Sequence, residues 1–320
     1  MTGKIATGVP AAAAWLESMV GSLANHSDRL DAINIFPVAD GDTGSNLYLT
    51  ARTAHDAVSV LESDDLGEFL ATAGRAGMES ARGNSGTLLA VYLVGFSEPL
   101  RGYQRLTGPL LAAALERGRV RAWSALSDPV PGTMLSVAEA AARAATGALA
   151  VSTADPSSRA HLREVLDAVQ SAVLASVVST ESQLGALSTA RVVDAGAVGM
   201  MLVIDTLYAA VTGEELDESR YTPLHGYGIH DPHIHSVSEA EEGVEVMCTI
   251  ALDALEAATL RARLDSIGTS VVMSAVSDGA EGYRWRVHVH APRAEEALDA
   301  MRQAGEPVNI SVTDLCTHDD

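Results

Sequence analysis

The stretch Asp31 to Asn46, DAINIFPVADGDTGSN, sets two carboxylates, Asp40 and Asp42, two positions apart among glycines and hydroxyls. Such a pair suits a hard cation. A calcium loop of the EF-hand type begun at Asp40 needs Gly at its sixth position and Glu at its twelfth. Those positions hold Ser45 and Ala51, which excludes it. Magnesium takes one or two carboxylates and leaves its other positions to water and substrate phosphates, a role open to Asp40 and Asp42.

The same loop runs into the helical segment NLYLTARTAHDAVSVL. Thr43, Gly44, Ser45 and Asn46 are therefore expected at a helix N-terminus, where free amides and the helix dipole favour phosphate oxygens. A second polar loop, ARGNSGT at 81–87, also precedes an apolar helical run, so that Asn84, Ser85, Gly86 and Thr87 offer another anion-binding turn. Either loop alone is also what an ordinary capped turn looks like. No Walker, dinucleotide-fold or G-x-S-x-G motif is present, and Ser85 has no base near it in sequence to make it a nucleophile.

The elements that position these loops follow from periodicity. From about Pro10 to Gly213, apolar residues recur at helical spacing, as in AAAAWLESMVGSLA and HLREVLDAVQSAVLASVVS, which predicts a helical bundle. Residues 214–242 are acidic and rich in turn formers, and read as a linker. Its histidines, His225, His230, His233 and His235, read as solvated. From residue 243 the pattern is β-α-β-β-α-β, a small α/β sandwich.

Composition narrows the function classes. The 320 residues suffice for one large domain and one small one, and a hydrophobic content of 47% with only 4% aromatics predicts an aliphatic helical core. A formal net charge of -21 without a dense Lys/Arg run argues against nucleic-acid partners. Two cysteines make no disulfide framework, and no signal peptide or transmembrane segment is read, so a cytoplasmic location is expected.

In YRWRVHVH, strand alternation puts Arg286, His288 and His290 on one face. With Cys248 in the first strand of the same domain, the two imidazoles make a candidate three-ligand zinc set, or else a buried Cys and two surface His. Cys316 reads as a bystander.

Taken together and in order, NIFPVADGDTGSN, ARGNSGT, DPVPGTML and VVDAGAVGM resemble the catalytic subunit of bacterial fatty acid kinase, whose N-terminal domain is similar to the L subunit of dihydroxyacetone kinase (DhaL). The resemblance implies a multidomain α + α/β protein: an antiparallel α-helical barrel over 1–213 that holds ATP or ADP at one end, then the small sandwich. It implies magnesium on Asp40 and Asp42, with Asn34 as a further ligand. Thr43, Ser45 and Asn46 match the start of one phosphate-binding helix and Asn84, Ser85 and Gly86 the second loop. Gly132, Thr133 and Met134 match a segment beside the nucleotide, and Asp194 and Gly196 the motif that closes the adenosine side.

The resemblance further implies transfer of the γ-phosphate to a fatty acid carboxylate presented by a separate DegV-type fatty-acid-binding protein. It implies a homodimer, and zinc on Cys248, His288 and His290. Two departures stand out: DAGAVG replaces the family's DAGGQG, and the family continues into a C-terminal domain where this chain stops, so full activity is expected to need a partner or that domain. The alternatives are a nucleotide-binding regulatory or assembly subunit and a small hydroxy-ketone kinase of the dihydroxyacetone type.

Overall fold

A computed structural model describes residues 7–227, 243–277 and 283–314. Eight long helices form a ring: α1 (Val9–Ala32), α2 (Thr43–Val58), α3 (Leu66–Ser80), α4 (Gly83–Ser97), α5 (Gly108–Ala125), α6 (Met134–Val151), α7 (Arg159–Gln183) and, after the short α8 (Gly185–Ala190), α9 (Ala195–Thr212). Consecutive helices pack on one another, and α9 closes the ring by packing on α1, α6 and α7. The breaks between helices carry their own start signals. Asp65, Thr107, Thr133, Ser158 and Asp194 each cap the following helix through a side-chain oxygen.

Two helices, Met134–Val151 and Ala195–Thr212, are long and apolar enough to cross a membrane by length and composition. The second is 72% buried inside the fold. Its 13 buried residues, Leu202, Val203 and Ile204 among them, make it an internal wall of the barrel. A helix apolar all round is what a buried position demands, and each enclosed Leu or Ile adds about 1.5–3 kcal/mol.

The first half of the expected linker is part of this barrel. Tyr221, Leu224 and Tyr227 lie in its core; Tyr227 stacks on His26, and the Arg29 guanidinium lies 4.3 Å from the Tyr227 ring centroid. His225 accordingly meets Glu181 at 2.8 Å, while His230, His233, His235 and Cys316 lie outside the described residues. Aromatic anchoring needs no periodicity, which is why composition alone reads this stretch as a connector.

The second domain has the expected order: β1 (Val244–Leu252), α10 (Ala254–Asp265), β2 (Thr269–Ser277), β3 (Tyr283–Ala291), α11 (Ala294–Ala304) and β4 (Pro307–Asp314). Its antiparallel sheet runs β2-β3-β1-β4. One sheet face, with Val246, Cys248, Ile250, Val287 and Val289, packs under α10 and α11 around Leu260 and Met301. The other face is turned to the barrel: Leu126 bridges Val272, Ser127 N–H donates to the Val271 carbonyl at 3.3 Å, and Arg286 donates to the Ala81 carbonyl at 3.2 Å.

Candidate functional site

The end of α1 and the start of α2 build the acidic loop. Asp42 stands at the N-cap position of α2 yet makes no side-chain cap. Asp31, on the last turn of α1, does so instead: its carboxylate accepts from Gly44 N–H at 2.5 Å, Ser45 N–H at 3.2 Å and Ser45 Oγ–H at 2.7 Å. Asp42 is thereby released to face Asp40, whose Oδ1 accepts from Asn34 Nδ2 at 2.5 Å. Burial, and then the neighbouring Asp42 carboxylate, push Asp40 up to about 8. Burial raises Asp42 as well, with Glu245 and Asp31 adding to it and Asn46 opposing. Two half-buried carboxylates pressed together without a counter-charge repel, and a divalent cation relieves both at once.

The Asp31 cap corrects one expectation. The amides of Gly44 and Ser45 and the Ser45 hydroxyl serve Asp31, and Asn46 N–H bonds to the Asp42 carbonyl at 2.9 Å, so these groups are not free for phosphate. Gly44 is there for packing: a Cβ on it would lie 2.3 Å from the Ser27 carbonyl oxygen.

The second loop meets the first. Gly83, at φ 58°, lies so close that a Cβ would fall 2.5 Å from Asn46 Nδ2 and 3.9 Å from Asp42 Oδ1. Of the expected phosphate turn, Asn84 Oδ1 is buried without a hydrogen-bond partner, and Ser85 Oγ stands 3.5 Å from the Thr43 carbonyl. Thr87 is turned away, its hydroxyl donating to the Gly83 carbonyl at 2.8 Å, and Gly86 packs on Thr50 and Asn46. Asn84 and Ser85 thus carry what the turn offers a ligand.

The starts of α6 and α9 come together beside it. Asp194 Oδ1 accepts from Ala197 N–H at 2.7 Å, and its carboxylate also takes the amides of Gly196 and Met134. Thr133 caps α6, and Gly132, at φ 88°, donates its N–H to Ser136 Oγ at 2.8 Å. Gly199, one turn into α9, abuts Leu47 in the first turns of α2, which places this corner next to the acidic loop. Asp194 acts here as a buried tie between two helix starts.

Burial outweighs those three amides and pushes Asp194 up to about 7. A carboxyl raised in the fold above its ordinary 3.8 stabilises fully below pH 3.8, and that contribution is lost as pH rises through about 7. Asp194→Asn keeps the cap and cannot ionise. Its unfolding free energy relative to the natural chain is therefore expected to rise by about 1–3 kcal/mol between pH 5 and 8, measured by urea unfolding.

The zinc set is also corrected. Register pairs Cys248 with Val287, but Glu245 with His290 and Met247 with His288, so the thiol is on the opposite sheet face from both imidazoles. Cys248 is fully buried, its Sγ 3.5 Å from Met301 Sδ, and burial pushes it up to about 12. What joins the histidines is Glu245: Glu245, His288 and His290 have ligand atoms within 4.8 Å of one another, all buried. Burial alone would raise Glu245, but His288, His290 and the Gly83 amide hold it below the usual carboxylate range. Burial, followed by His288, brings His290 down to about 3.

A cavity of about 190 Å³, lined by Trp15, Leu70, Phe96, Leu162 and Leu207 among others, opens at the opposite end of the barrel, near the start of α1. The loops lie past the other end of that 24-residue helix, roughly 36 Å away along its axis.

Residues 37–209 match the DAK2 domain family, and residues 241–319 match the FakA-like middle domain of fatty acid kinase. Protein YloV of Bacillus subtilis (strain 168) is 29% identical over 304 residues, covering 92% of this chain and 53% of that protein. An uncharacterized protein, SAB1090, of Staphylococcus aureus (strain bovine RF122 / ET3-1) is 28% identical over 302 residues, again with 92% and 53% coverage. The chain thus spans about half the length of the curated relatives it matches. A crystal structure of the dihydroxyacetone kinase of C. freundii in its native form aligns at a TM-score of 0.42 and 16% identity, over 67% of this chain and 37% of that one.

Proposed function

This chain belongs to the DAK2 domain family, and on that premise we propose that it is an ATP- and magnesium-dependent phosphotransferase of the fatty acid kinase type. The observation that carries this reading is the meeting of Asp40 and Asp42 with the Asn84–Ser85 turn at the adjoining starts of α2 and α4. Carboxylates crowded enough to hold a proton between them, next to polar groups left open, fit a metal-bridged phosphate better than a plain capped turn.

Asp40 and Asp42, steadied by Asn34, would hold magnesium, which when bound neutralises the β- and γ-phosphate charge. Asn84 and Ser85 orient the phosphates, and the corner of Gly132, Thr133, Met134, Asp194 and Gly196 shapes the nucleoside side. The acceptor is a fatty acid carboxylate brought by a DegV-type binding protein; already ionised, it attacks the γ-phosphorus in line and needs no general base. The chain's share of catalysis is positioning and exclusion of water, which agrees with a loop pair rich in acids and amides. A homodimer through the second domain and a cytoplasmic setting complete the reading.

The test combines γ-labelled ATP, a fatty acid, a DegV-type protein and this chain. Labelled acyl phosphate is expected only when all four are present. Tight nucleotide binding without transfer, even after the remainder of a full-length relative is supplied in trans, would favour a regulatory subunit instead.

A further inference from the structure

We propose that Glu245, His288 and His290 form a transition-metal site of the zinc class at the seam between the two domains, with the Glu245 carboxylate, not the Cys248 thiol, as the third protein ligand. The inference stands apart from the kinase reading, because it concerns a different set of side chains on the sheet face turned to the barrel.

The hydrogen bonds of His288 point to a cation. Its Nδ1 lies 3.0 Å from the Ser270 carbonyl oxygen and its Nε2 lies 2.9 Å from Glu245 Oε1, with the side chain fully buried. Both neighbours are acceptors, while a neutral imidazole carries a single proton. The proton belongs on Nδ1, donated to Ser270, which leaves a lone pair on Nε2 directed at a carboxylate. A divalent ion between them resolves that conflict.

His290 supplies the second, independent observation. It is 6% exposed, its Nδ1 is buried with no hydrogen-bond partner, and its ring centroid is 4.9 Å from that of His288. The same ion satisfies it. Ser270 then plays the part of the outer partner that metal-bound histidines have, fixing the tautomer and the ring plane. Its own φ of 54°, in the left-handed region inside a strand, aims that carbonyl at His288.

Two imidazoles and one carboxylate suit zinc and leave a position open for water or a further ligand. The place of this site gives it a consequence. Glu245 also accepts the Gly83 amide, and its charge is felt by Asp42, so the ion fastens the second domain to the turn that starts α4.

The test uses the full chain purified without chelator, assayed for zinc by elemental analysis and then reloaded with cobalt(II). Roughly one zinc per chain is expected, and the cobalt form is expected to show visible d–d bands without the intense near-ultraviolet band of a thiolate ligand. Cys248→Ser is expected to keep zinc affinity within about threefold of the natural chain, whereas Glu245→Gln and His290→Gln weaken it by about 100-fold or more. A thiolate band that Cys248→Ser removes would overturn the assignment, as would a natural chain that takes up neither metal. Both outcomes are read on the natural fold or on a buried Cys-to-Ser change, so misfolding of the Glu245 or His290 variants does not decide the matter.

Discussion

Asp40→Asn is expected to lower magnesium-dependent ADP affinity by about 100-fold while raising the melting temperature of the ligand-free chain. The first effect follows from removing one of two charged ligands: uncoupling a half-buried ion pair costs about 3 kcal/mol, or about 100-fold. The second follows from the carboxyl being pushed up to about 8 by burial and by Asp42. Its stabilising contribution is present in full below the ordinary 3.8 and is lost as pH rises through about 8. Asn reproduces the protonated form at every pH. The gain is therefore small at pH 6 and grows to about 1–2 kcal/mol, or about 2–4 °C, at pH 8.5. Thermal unfolding at the two pH values, without and with magnesium, checks both signs. A variant that is destabilised without magnesium would mean that Asp40 is a structural partner and not a ligand waiting for a cation.

Gly44→Ala is expected to destabilise the barrel by about 2–3 kcal/mol. The added Cβ would stand 2.3 Å from the Ser27 carbonyl oxygen, 2.8 Å from Ser27 Cα and 2.9 Å from Leu30 Cβ, two of them backbone atoms that cannot swing aside. The helices must part, and with them Asp31, which receives the Gly44 amide at 2.5 Å. Nucleotide affinity falls with stability because that cap sets where Asp42 points. Gly21→Ala provides the contrast on the neighbouring helix α1: nothing lies within 4 Å of the new Cβ, and replacing a helix-interior glycine should stabilise by about 0.5–1 kcal/mol. Urea unfolding of the two variants measures both. Equal effects would show that α1 and α2 do not touch as described.

These contacts also show what the amino-acid order could tell. Helical periodicity from residue 10 to 213 and the β-α-β-β-α-β order beyond residue 243 were both legible, because each element buries one face and its spacing records that face. The two loops were legible as polar insertions before apolar runs. Asp31 was not, since its part in the site depends on α1 ending against the start of α2, a tertiary fact. Nor were the acceptors of Thr87 and Ser45, which short-range sequence leaves open.

The metal face depended on parity between strands. His288 and His290 share a face by alternation alone, but whether Cys248 or Glu245 joins them is fixed by the pairing of β1 with β3. A one-residue slip exchanges the two candidates. Tyr221 and Tyr227 were hidden for a different reason: single aromatic anchors in an acidic segment leave no repeating signal, although they hold residues 218–227 against α1.

The most direct measurement is a calorimetric titration of ADP into the natural chain with magnesium and again with EDTA. Binding with magnesium, lost with EDTA and lost in Asp42→Asn while the variant stays folded, is the result expected of a cation held by Asp40 and Asp42 against the Asn84–Ser85 turn. Binding of equal strength with EDTA, or unchanged binding in Asp42→Asn, would contradict it.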